Sequence, residues 1–270
     1  MRNGAINIAI KAARNAGQHI LRQLPRRDSI PVMEKAKHDF ATEVDRMVEK
    51  EIQRDLKRSF PDHAFLGEES GQTGDSRYVW VVDPLDGTSN FIHGFGHFSI
   101  SIALLERGEP LLGVVYDPLR DEIFAAEKGR GALLNDRRLR VGQRKDLDAA
   151  LLVTGFAPRE RHNVETHMAM TRDLLVKAED IRRTGSAALD LAYVACGRFD
   201  GYFEAGVKPW DIAAGVLLVR EAGGQCTDFK GGNRFFETEQ IVAANMHVGD
   251  DIRRTIAPHL AKLRAVAATA

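Results

Sequence analysis

The stretch WVVDPLDGTSNF, from Trp80 to Phe91, joins an apolar run directly to two acidic residues. Residues 79–82 are β-branched or aromatic and predict a buried strand. Asp83 and Asp86 follow at once, with Pro84 between them. Two desolvated carboxylates at short range repel each other unless a cation lies between them. The sequence therefore predicts a metal site at the end of this strand.

The residues around the two aspartates indicate which metal is expected. Leu85 lies between them and can offer its backbone carbonyl oxygen as a further ligand. Hard oxygen ligands of this kind suit Mg²⁺. Gly87 and Thr88 come next and are typical of the start of a short helix, whose free N–H groups bind phosphate oxygens. An acid pair that holds metal, next to an anion site, is the combination that phosphoryl transfer requires.

Other segments also place acidic residues where a strand or a turn is predicted to end. They contribute Glu68 and Glu69 in GEES, Asp45 in TEVD and Asp211 in PWD. Each has an ordinary structural interpretation when it is taken alone. Asp45 can form a capping pair with Thr42, and Asp211 can stabilise the start of a helix. From the residues alone, both interpretations stay open.

The composition of the 270-residue chain is that of an ordinary globular protein, with 44% hydrophobic and 28% charged residues. Lys+Arg and Asp+Glu both count 38, which argues against a dedicated nucleic-acid binder. Cys196 and Cys226 lie outside any CxxC or Cys/His spacing, so neither a disulfide framework nor a zinc site is expected. The chain shows no signal-peptide pattern and no apolar run of membrane-spanning length. A cytoplasmic protein is therefore expected.

The hydrophobic pattern predicts helices packed on a sheet, followed by an α/β half. Two amphipathic helices are expected at 4–24 and 43–59, with the polar loop EKAKHDFA between them. Short β-rich runs then predict an antiparallel sheet with strands at 64–67, 78–82, 99–106, 111–117 and 122–127. Residues 129–147 are expected to form turns at a domain junction. Helices and strands alternate beyond it, up to a last helix at 248–264.

The predicted organisation is one compact unit made of two halves. Residues 1–147 form an N-terminal α+β half that carries the GEES and DPLDGT motifs. Residues 148–270 form a C-terminal α/β half that carries the PWD motif.

The motifs GEES, DPLDGTSNF and WDIAAGVLLVREAGG resemble those of the inositol monophosphatase family of Mg²⁺-dependent phosphatases. The resemblance runs from the first helix to IVAAN. The segment RRTGSAALDLAYVACGRFDGYFEAGVKPWD is closest to the bacterial SuhB-type branch. The resemblance implies a layered α-β-α-β-α sandwich of the sugar-phosphatase type, like inositol monophosphatase and fructose bisphosphatase. It should combine an antiparallel N-terminal sheet with a mixed C-terminal sheet.

The resemblance also implies an activity. The chain should hydrolyse myo-inositol monophosphate and similar small alcohol phosphates by in-line attack of water. Two to three Mg²⁺ ions should take part, and Li⁺ should inhibit.

Individual residues acquire roles from the same resemblance. The metal ligands would be Glu68, Asp83, Leu85, Asp86 and Asp211. The catalytic residues would be Asp45, Glu68 and Thr88, with Asp45 and Thr88 positioning the attacking water. The substrate contacts would be Lys35, Asp86, Gly87, Thr88, Gly185, Ser186, Ala187, Glu204 and Asp211. Lys37 lies close to Lys35 in the predicted loop. Because the ligands come from both halves, we expect the metal site to lie between them.

Other functions and partners remain open at this point. SuhB-type proteins are implicated in antitermination of ribosomal RNA transcription through the factor NusA. A regulatory binding role, with or without phosphatase activity, is therefore an alternative. Within enzymes, sugar and nucleotide phosphates are alternative substrates. We expect a homodimer, with Arg182 and Arg183 as candidates for the subunit interface, and neither a membrane contact nor a direct nucleic-acid site.

Overall fold

The computed structural model describes residues 2–36 and 39–263. The helices in these ranges are α1 (Arg2–Gln23), α2 (Glu43–Ser59), α3 (Thr88–Ile92), α4 (Val164–Leu175), α5 (Ala187–Ala195), α6 (Pro209–Glu221), α7 (Phe235–Thr238) and α8 (Met246–Ile256). Short 3₁₀ helices cover Leu24–Ser29, Pro158–Asn163 and Ala257–Lys262. Within the described ranges, we find no helix with both the length and the apolar character needed to cross a membrane.

The strands belong to one hairpin and two larger sheets. In chain order they are β1 (Val32–Ala36), β2 (Asp39–Thr42), β3 (Ala64–Gly67), β4 (Gly71–Thr73), β5 (Tyr78–Asp86), β6 (Ser99–Glu106), β7 (Glu109–Asp117), β8 (Glu122–Glu127), β9 (Gly131–Leu134), β10 (Arg137–Arg138), β11 (Leu151–Thr154), β12 (Asp180–Arg182), β13 (Gly201–Ala205), β14 (Gln225–Thr227) and β15 (Gln240–Ala244).

The larger sheet has eight strands in the order β10-β9-β8-β7-β6-β5-β3-β4. Its pairs are antiparallel except for β3 and β5, which run parallel. The register between β5 and β6 shifts between Asp83 and Asp86. Pro84 lies in this shift and cannot donate a ladder hydrogen bond. The irregularity is a β-bulge, and bulges re-aim side chains at the end of a strand.

The second sheet has five strands in the order β12-β11-β13-β15-β14. Strand β11 is parallel to both β12 and β13, whereas β15 is antiparallel to β13 and β14. The predicted mixed C-terminal sheet is therefore confirmed.

Three apolar cores hold five layers together. Helices α1 and α2 pack on one face of the eight-stranded sheet, where Trp80 and Val82 point. Val81 points to the opposite face because side chains alternate along a strand, and it packs with α5 and α6. The far face of the second sheet is covered by α4 and α8. The order is α-β-α-β-α, so the predicted layered sandwich is confirmed. The division into halves at residue 147 stays a prediction.

Two predicted irregular segments contain strands. The loop prediction for EKAKHDFA is wrong in the described residues, because β1 and β2 form an antiparallel hairpin there. Lys37 and residue 38 lie outside the described residues, so the interpretation of Lys37 is not tested. The predicted turns at 129–147 include β9 and β10, which pair at the edge of the larger sheet. The last helix ends earlier than predicted, at Ile256, and a 3₁₀ turn comes after it.

Candidate active site

Two aspartates leave the larger sheet at the bulge of β5. Asp83 is 2% exposed and Asp86 is 9% exposed. The Asp83 Oδ1 atom accepts a hydrogen bond from the Leu85 N–H at 3.0 Å, so the carboxylate folds over the turn that follows it. Both carboxylates thus remain buried at the end of a core strand, as the sequence predicts.

Gly87 forms the corner between β5 and α3. Its φ angle of 95° lies in the left-handed region, which favours glycine. A Cβ atom at this position would lie 3.0 Å from the His97 carbonyl oxygen and 3.2 Å from the Gly185 carbonyl oxygen. The corner therefore needs glycine for both its backbone conformation and its space. Thr88 follows this corner as the first residue of α3.

Asp45 uses its two carboxylate oxygens in different ways. The Oδ2 atom accepts hydrogen bonds from the Thr42 N–H at 2.8 Å and from the Thr42 hydroxyl at 2.5 Å, which completes the predicted capping box of α2. The Oδ1 atom accepts a hydrogen bond from the Thr88 hydroxyl at 2.8 Å. The two interpretations of Asp45 are therefore compatible: it caps α2 and also contacts Thr88.

Asp86 joins the larger sheet to α5. Its Oδ2 atom accepts hydrogen bonds from the Ser186 hydroxyl at 2.5 Å and from the Ala188 N–H at 2.8 Å. The hydroxyl of Ser186, the N-cap residue of α5, also accepts a bond from the Leu189 N–H. Two groups at the start of α5, the Ser186 hydroxyl and the Ala188 N–H, therefore hold one oxygen of the Asp86 carboxylate.

Glu68 follows β3 directly and meets Lys35 from the β1–β2 hairpin. The Lys35 Nζ atom lies 3.0 Å from Glu68 Oε1 and also donates to Glu69. Arg46 on α2 lies 3.8 Å from the Glu69 carboxylate. The hairpin that the sequence analysis missed is therefore the element that brings Lys35 to the predicted metal ligand.

Asp211 lies in the first turn of α6. Its Oδ2 atom accepts a hydrogen bond from the Lys208 N–H at 2.7 Å. This bond satisfies one of the N–H groups that a helix start leaves unpaired. Asp211 also faces the same cavity as the aspartates of β5. Asp211 therefore both caps the start of α6 and lines the candidate site.

One cavity of about 380 Å³ gathers most of the predicted site residues. Those that line it are Glu68, Asp83, Leu85, Asp86, Gly87, Thr88, Gly185, Ser186, Ala187, Glu204 and Asp211. Lys35 and Asp45 do not line it but contact residues that do, namely Glu68 and Thr88. A larger opening of about 710 Å³ lies beside α1, α2 and β1. The cavity of about 380 Å³ is the candidate site because carboxylates from the end of β5, from β13 and from the start of α6 all line it.

The comparison with known protein families shows to which family this chain belongs. The model of the inositol monophosphatase family matches residues 2–265. The chain belongs to the inositol monophosphatase family. It is 52% identical to the Nus factor SuhB of Xylella fastidiosa over 262 residues, which is 95% of each protein. It is 49% identical to the Nus factor SuhB of Pseudomonas aeruginosa over 263 residues, which is 94% of this chain and 96% of that protein.

Solved structures of inositol monophosphatase relatives show the same fold. The extragenic suppressor protein suhB from Bartonella henselae has a TM-score of 0.91 and 42% identity, and the match covers 94% of this chain and 98% of that chain. The inositol monophosphatase from Anabaena has a TM-score of 0.84 and 39% identity, with 95% and 97% covered. These likenesses confirm both the predicted family and the predicted fold class.

Burial and crowding raise the pKa of the acidic groups in the cavity of this member of the inositol monophosphatase family. Burial raises the pKa of Glu68 to about 7, with Lys35 opposing the shift and Asp211 adding to it. Burial likewise raises the pKa of Asp86 to about 7, against the hydrogen bonds from Ser186 and Ala188. The pKa of Asp83 lies well above its usual range because Asp83 is buried and faces the other carboxylates. A cation would relieve this repulsion.

The donor set fits Mg²⁺ by its chemistry, since it consists of carboxylate and carbonyl oxygens. In residues 2–36 and 39–263, however, no group of three or more His, Cys, Asp or Glu side chains is already arranged to hold a metal ion. The carboxylates are engaged with protein donors instead: Glu68 with Lys35, Asp86 with Ser186, and Asp211 with the Lys208 N–H.

Three charged residues of the cavity wall were not assigned to the site from the sequence. Asp190, on α5, is 1% exposed and lines the cavity. Arg161 and Arg183 line it too, and the expected place of Arg183 at a subunit interface stays a prediction. A signal for Asp190 did exist, because it is the one acidic residue in the otherwise apolar segment SAALDLAYVAC. The two arginines carry no comparable signal, since arginines are common on exposed loops.

Proposed function

We propose that this protein is a Mg²⁺-dependent phosphomonoesterase for small phosphorylated alcohols, with myo-inositol monophosphate among them. The observation that carries the proposal is the convergence of Glu68, Asp83, Asp86 and Asp211 on one cavity beside the Thr88–Asp45 pair. Membership in a family of phosphatases supports it. The Gly87 corner lines the same cavity, and its backbone N–H is assigned to the phosphate group.

Two to three Mg²⁺ ions would be held by the four carboxylates and the Leu85 carbonyl oxygen. When bound, Mg²⁺ supplies positive charge that balances the carboxylates and the phosphate group, and it lowers the pKa of water. Asp83 would be one of these ligands, and it is the most buried of the four carboxylates. The small, hard Li⁺ ion accepts the same oxygen ligands, so we propose that it inhibits at the Asp86–Asp211 position.

Thr88 and Asp45 position the attacking water in this proposal. Asp45 accepts a hydrogen bond from the Thr88 hydroxyl at 2.8 Å. The Thr88 oxygen therefore keeps a lone pair that can accept a hydrogen bond from water in the cavity. The Leu85 carbonyl oxygen lies 3.0 Å from the same hydroxyl and is the alternative acceptor. Burial raises the pKa of Asp45, while the hydrogen bonds from Thr42 and Thr88 oppose that shift. Asp45 is thus poised to take up a proton through Thr88.

The alcohol part of the substrate is assigned to the cavity wall that the start of α5 and Glu204 form. Gly185, Ser186 and Ala187 form the start of α5 there, and the Glu204 carboxylate faces them from β13. Tyr202 donates a hydrogen bond to Glu204 Oε2 at 2.7 Å, which orients the carboxylate. Glu204 would then accept hydrogen bonds from substrate hydroxyl groups. This chemistry suits a polyol and does not distinguish inositol from glycerol, sugar or nucleotide phosphates.

A phosphate-release screen tests the proposal. Purified protein is assayed with Mg²⁺ or with chelator against inositol, glycerol, sugar and nucleotide phosphates. We expect Mg²⁺-dependent release from inositol monophosphate and from at least one other polyol phosphate. No release above the Asp83→Asn control from any of these substrates would refute it.

A second function is favoured by the names of the similar proteins. The relatives from Xylella fastidiosa and Pseudomonas aeruginosa are Nus factors. We propose that this chain also binds a transcription factor such as NusA, as a homodimer in the cytoplasm. A pull-down with purified NusA from the same organism, using wild-type protein and the Asp83→Asn variant, tests this. Equal binding by both proteins would show a role independent of catalysis, and no binding by either would exclude NusA as the partner.

A further inference from the structure

Asp190 is a buried carboxylate that the proposed reaction does not use. It lies in the first turn of α5 and shares the cavity wall with Asp86 and Glu204. A carboxylate withdrawn from water is costly unless hydrogen bonds compensate. The bond that Asp190 makes is from the Thr184 hydroxyl to its Oδ1 atom, at 2.5 Å. Its contact is therefore with the segment that precedes α5.

Thr184 is held from a second side by Asn90 of α3. The Asn90 Nδ2 group donates to the Thr184 carbonyl oxygen at 2.9 Å and to the His97 carbonyl oxygen at 2.7 Å. Thr184 is therefore fixed through its side chain by one helix and through its backbone by another. This double restraint sets the point from which the chain enters α5.

The chain turns directly after Thr184. Gly185 has a φ angle of 92°, and Ser186 then donates its 2.5 Å hydrogen bond to Asp86. Ser186 is fully buried, so its hydroxyl has little freedom to compensate for a shift of the backbone. A displacement of Thr184 would therefore change the orientation of Asp86.

We propose that Asp190 is a positioning residue, which fixes the turn 184–186 through the Thr184 hydroxyl and thereby orients Asp86. The same restraint places Gly185 and Ala187 at the wall assigned to the substrate alcohol. This inference rests on the proposed phosphatase function, because it gives Asp86 the role of a Mg²⁺ ligand. Asp190 itself acts through its oxygen atom as an acceptor, and its negative charge is not required.

Four variants distinguish the role of Asp190 as a hydrogen-bond acceptor from the role of its negative charge. Asp190→Ala and Thr184→Val each remove one end of the hydrogen bond. Asp190→Asn keeps an oxygen acceptor without the charge, and Thr184→Ser keeps the hydroxyl. We expect the first two to weaken Mg²⁺ binding, measured by calorimetry with the metal alone, by up to about 10-fold, the lower end of the effect of removing a direct partner of a metal ligand. The conservative variants should recover most of the affinity.

A further readout, with a control variant, also does not depend on activity. Amide hydrogen exchange of residues 184–190, in protein without metal, should speed up in Asp190→Ala and Thr184→Val. Asp117→Ala is the matched control, because Asp117 is fully buried and accepts from the Leu119 and Arg120 N–H groups outside the cavity. It should lower the melting temperature and leave Mg²⁺ affinity unchanged.

The outcomes distinguish this inference from the proposed function. If the wild-type protein releases no phosphate from any substrate, the proposed function fails, while calorimetry and hydrogen exchange still decide the role of Asp190. Wild-type Mg²⁺ affinity and exchange in Thr184→Val would overturn the positioning role. So would an Asp190→Asn variant as defective as Asp190→Ala, because the charge would then be what matters. If Asp190→Ala does not fold, the two Thr184 variants carry the test.

Discussion

The Thr88 hydroxyl donates a hydrogen bond to Asp45 Oδ1 at 2.8 Å, although the two residues are 43 positions apart in the chain. The other oxygen of Asp45 completes the cap of α2. One carboxylate therefore joins the starts of two helices, and a change at either end has a distinct expected effect.

Replacing Thr88 by alanine should slow the reaction and spare metal binding. Thr88→Ala removes the hydroxyl that is assigned to the attacking water and leaves every carboxylate of the cavity in place. The turnover number should fall by about 10²-fold to 10⁴-fold, which is the usual contribution of positioned proton transfer. Steady-state kinetics at saturating Mg²⁺ measures this fall.

The matched control is Thr88→Ser, which keeps the hydroxyl. It should retain much of the turnover that Thr88→Ala loses. A Thr88→Ala variant with wild-type turnover would show that the hydroxyl does not position water.

The two functions of Asp45 can be separated at Thr42. Thr42→Ala removes the side chain that completes the cap of α2 but leaves Asp45 Oδ1 bound to Thr88. We expect a loss of about 1 kcal/mol in the free energy of unfolding, the typical value for such a cap, and little change in turnover. Asp45→Asn should lower both quantities. Denaturant unfolding and kinetics on the same samples test this, and equal losses of turnover in the two variants would contradict it.

Replacing Asp211 by asparagine should change the requirement for Mg²⁺. The asparagine oxygen can still accept from the Lys208 N–H, so α6 keeps its cap. The variant removes one negative charge from the cavity, and Mg²⁺ affinity should fall together with turnover. Mg²⁺ titrations of activity in Asp211→Asn and Thr88→Ala provide the comparison. If both variants shift the titration equally, the division between metal ligand and water-positioning residue is wrong.

The stabilisation by Mg²⁺ should grow as the pH rises through about 7. The pKa values of Glu68 and Asp86 are raised to about 7 by burial. A raised carboxyl pKa means that the folded protein binds more protons than the unfolded chain between about pH 4 and 7, so these groups reduce stability as the pH rises through that window. Mg²⁺ binds the deprotonated carboxylates of the folded state and offsets this loss.

Melting temperatures from pH 5 to 8, with Mg²⁺ and with chelator, test this linkage. The difference between the two curves should be small at pH 5 and largest at pH 8. A difference independent of pH would mean that these carboxylates are not the binding groups.

Much of the site is predictable from local sequence, because β5, its two aspartates and the Gly87 corner are contiguous. Paired carboxylates after an apolar run have few interpretations, and the bulge that orients them lies within the same run. The capping pair at Thr42 is also local. These features depend on neighbours in the chain, which is why the sequence pattern predicts them.

Other features depend on contacts between distant segments and could not be predicted in this way. The strand residues VMEKA and DFAT of the β1–β2 hairpin do not alternate between apolar and polar, so they lack the pattern that indicates a strand. Asp190 acquires its surroundings when α5 meets the end of β5 in space. Apart from Asp190, helix α5 is apolar on every face because it lies between two sheets, so the periodicity of its apolar residues does not show which side faces the cavity.

The position of α5 and α6 between the sheets has a consequence for synthesis on the ribosome. The face of the larger sheet that carries Val81, Val115 and Phe124 gains its cover from residues 187–221. A nascent chain that has produced β5 to β8 therefore holds an apolar sheet surface bare until roughly a hundred more residues have emerged, which at usual elongation rates lasts roughly 5–20 seconds. During that interval the growing chain is exposed to aggregation, and chaperones that shield apolar surfaces should associate with it most strongly between the emergence of β8 and that of α6.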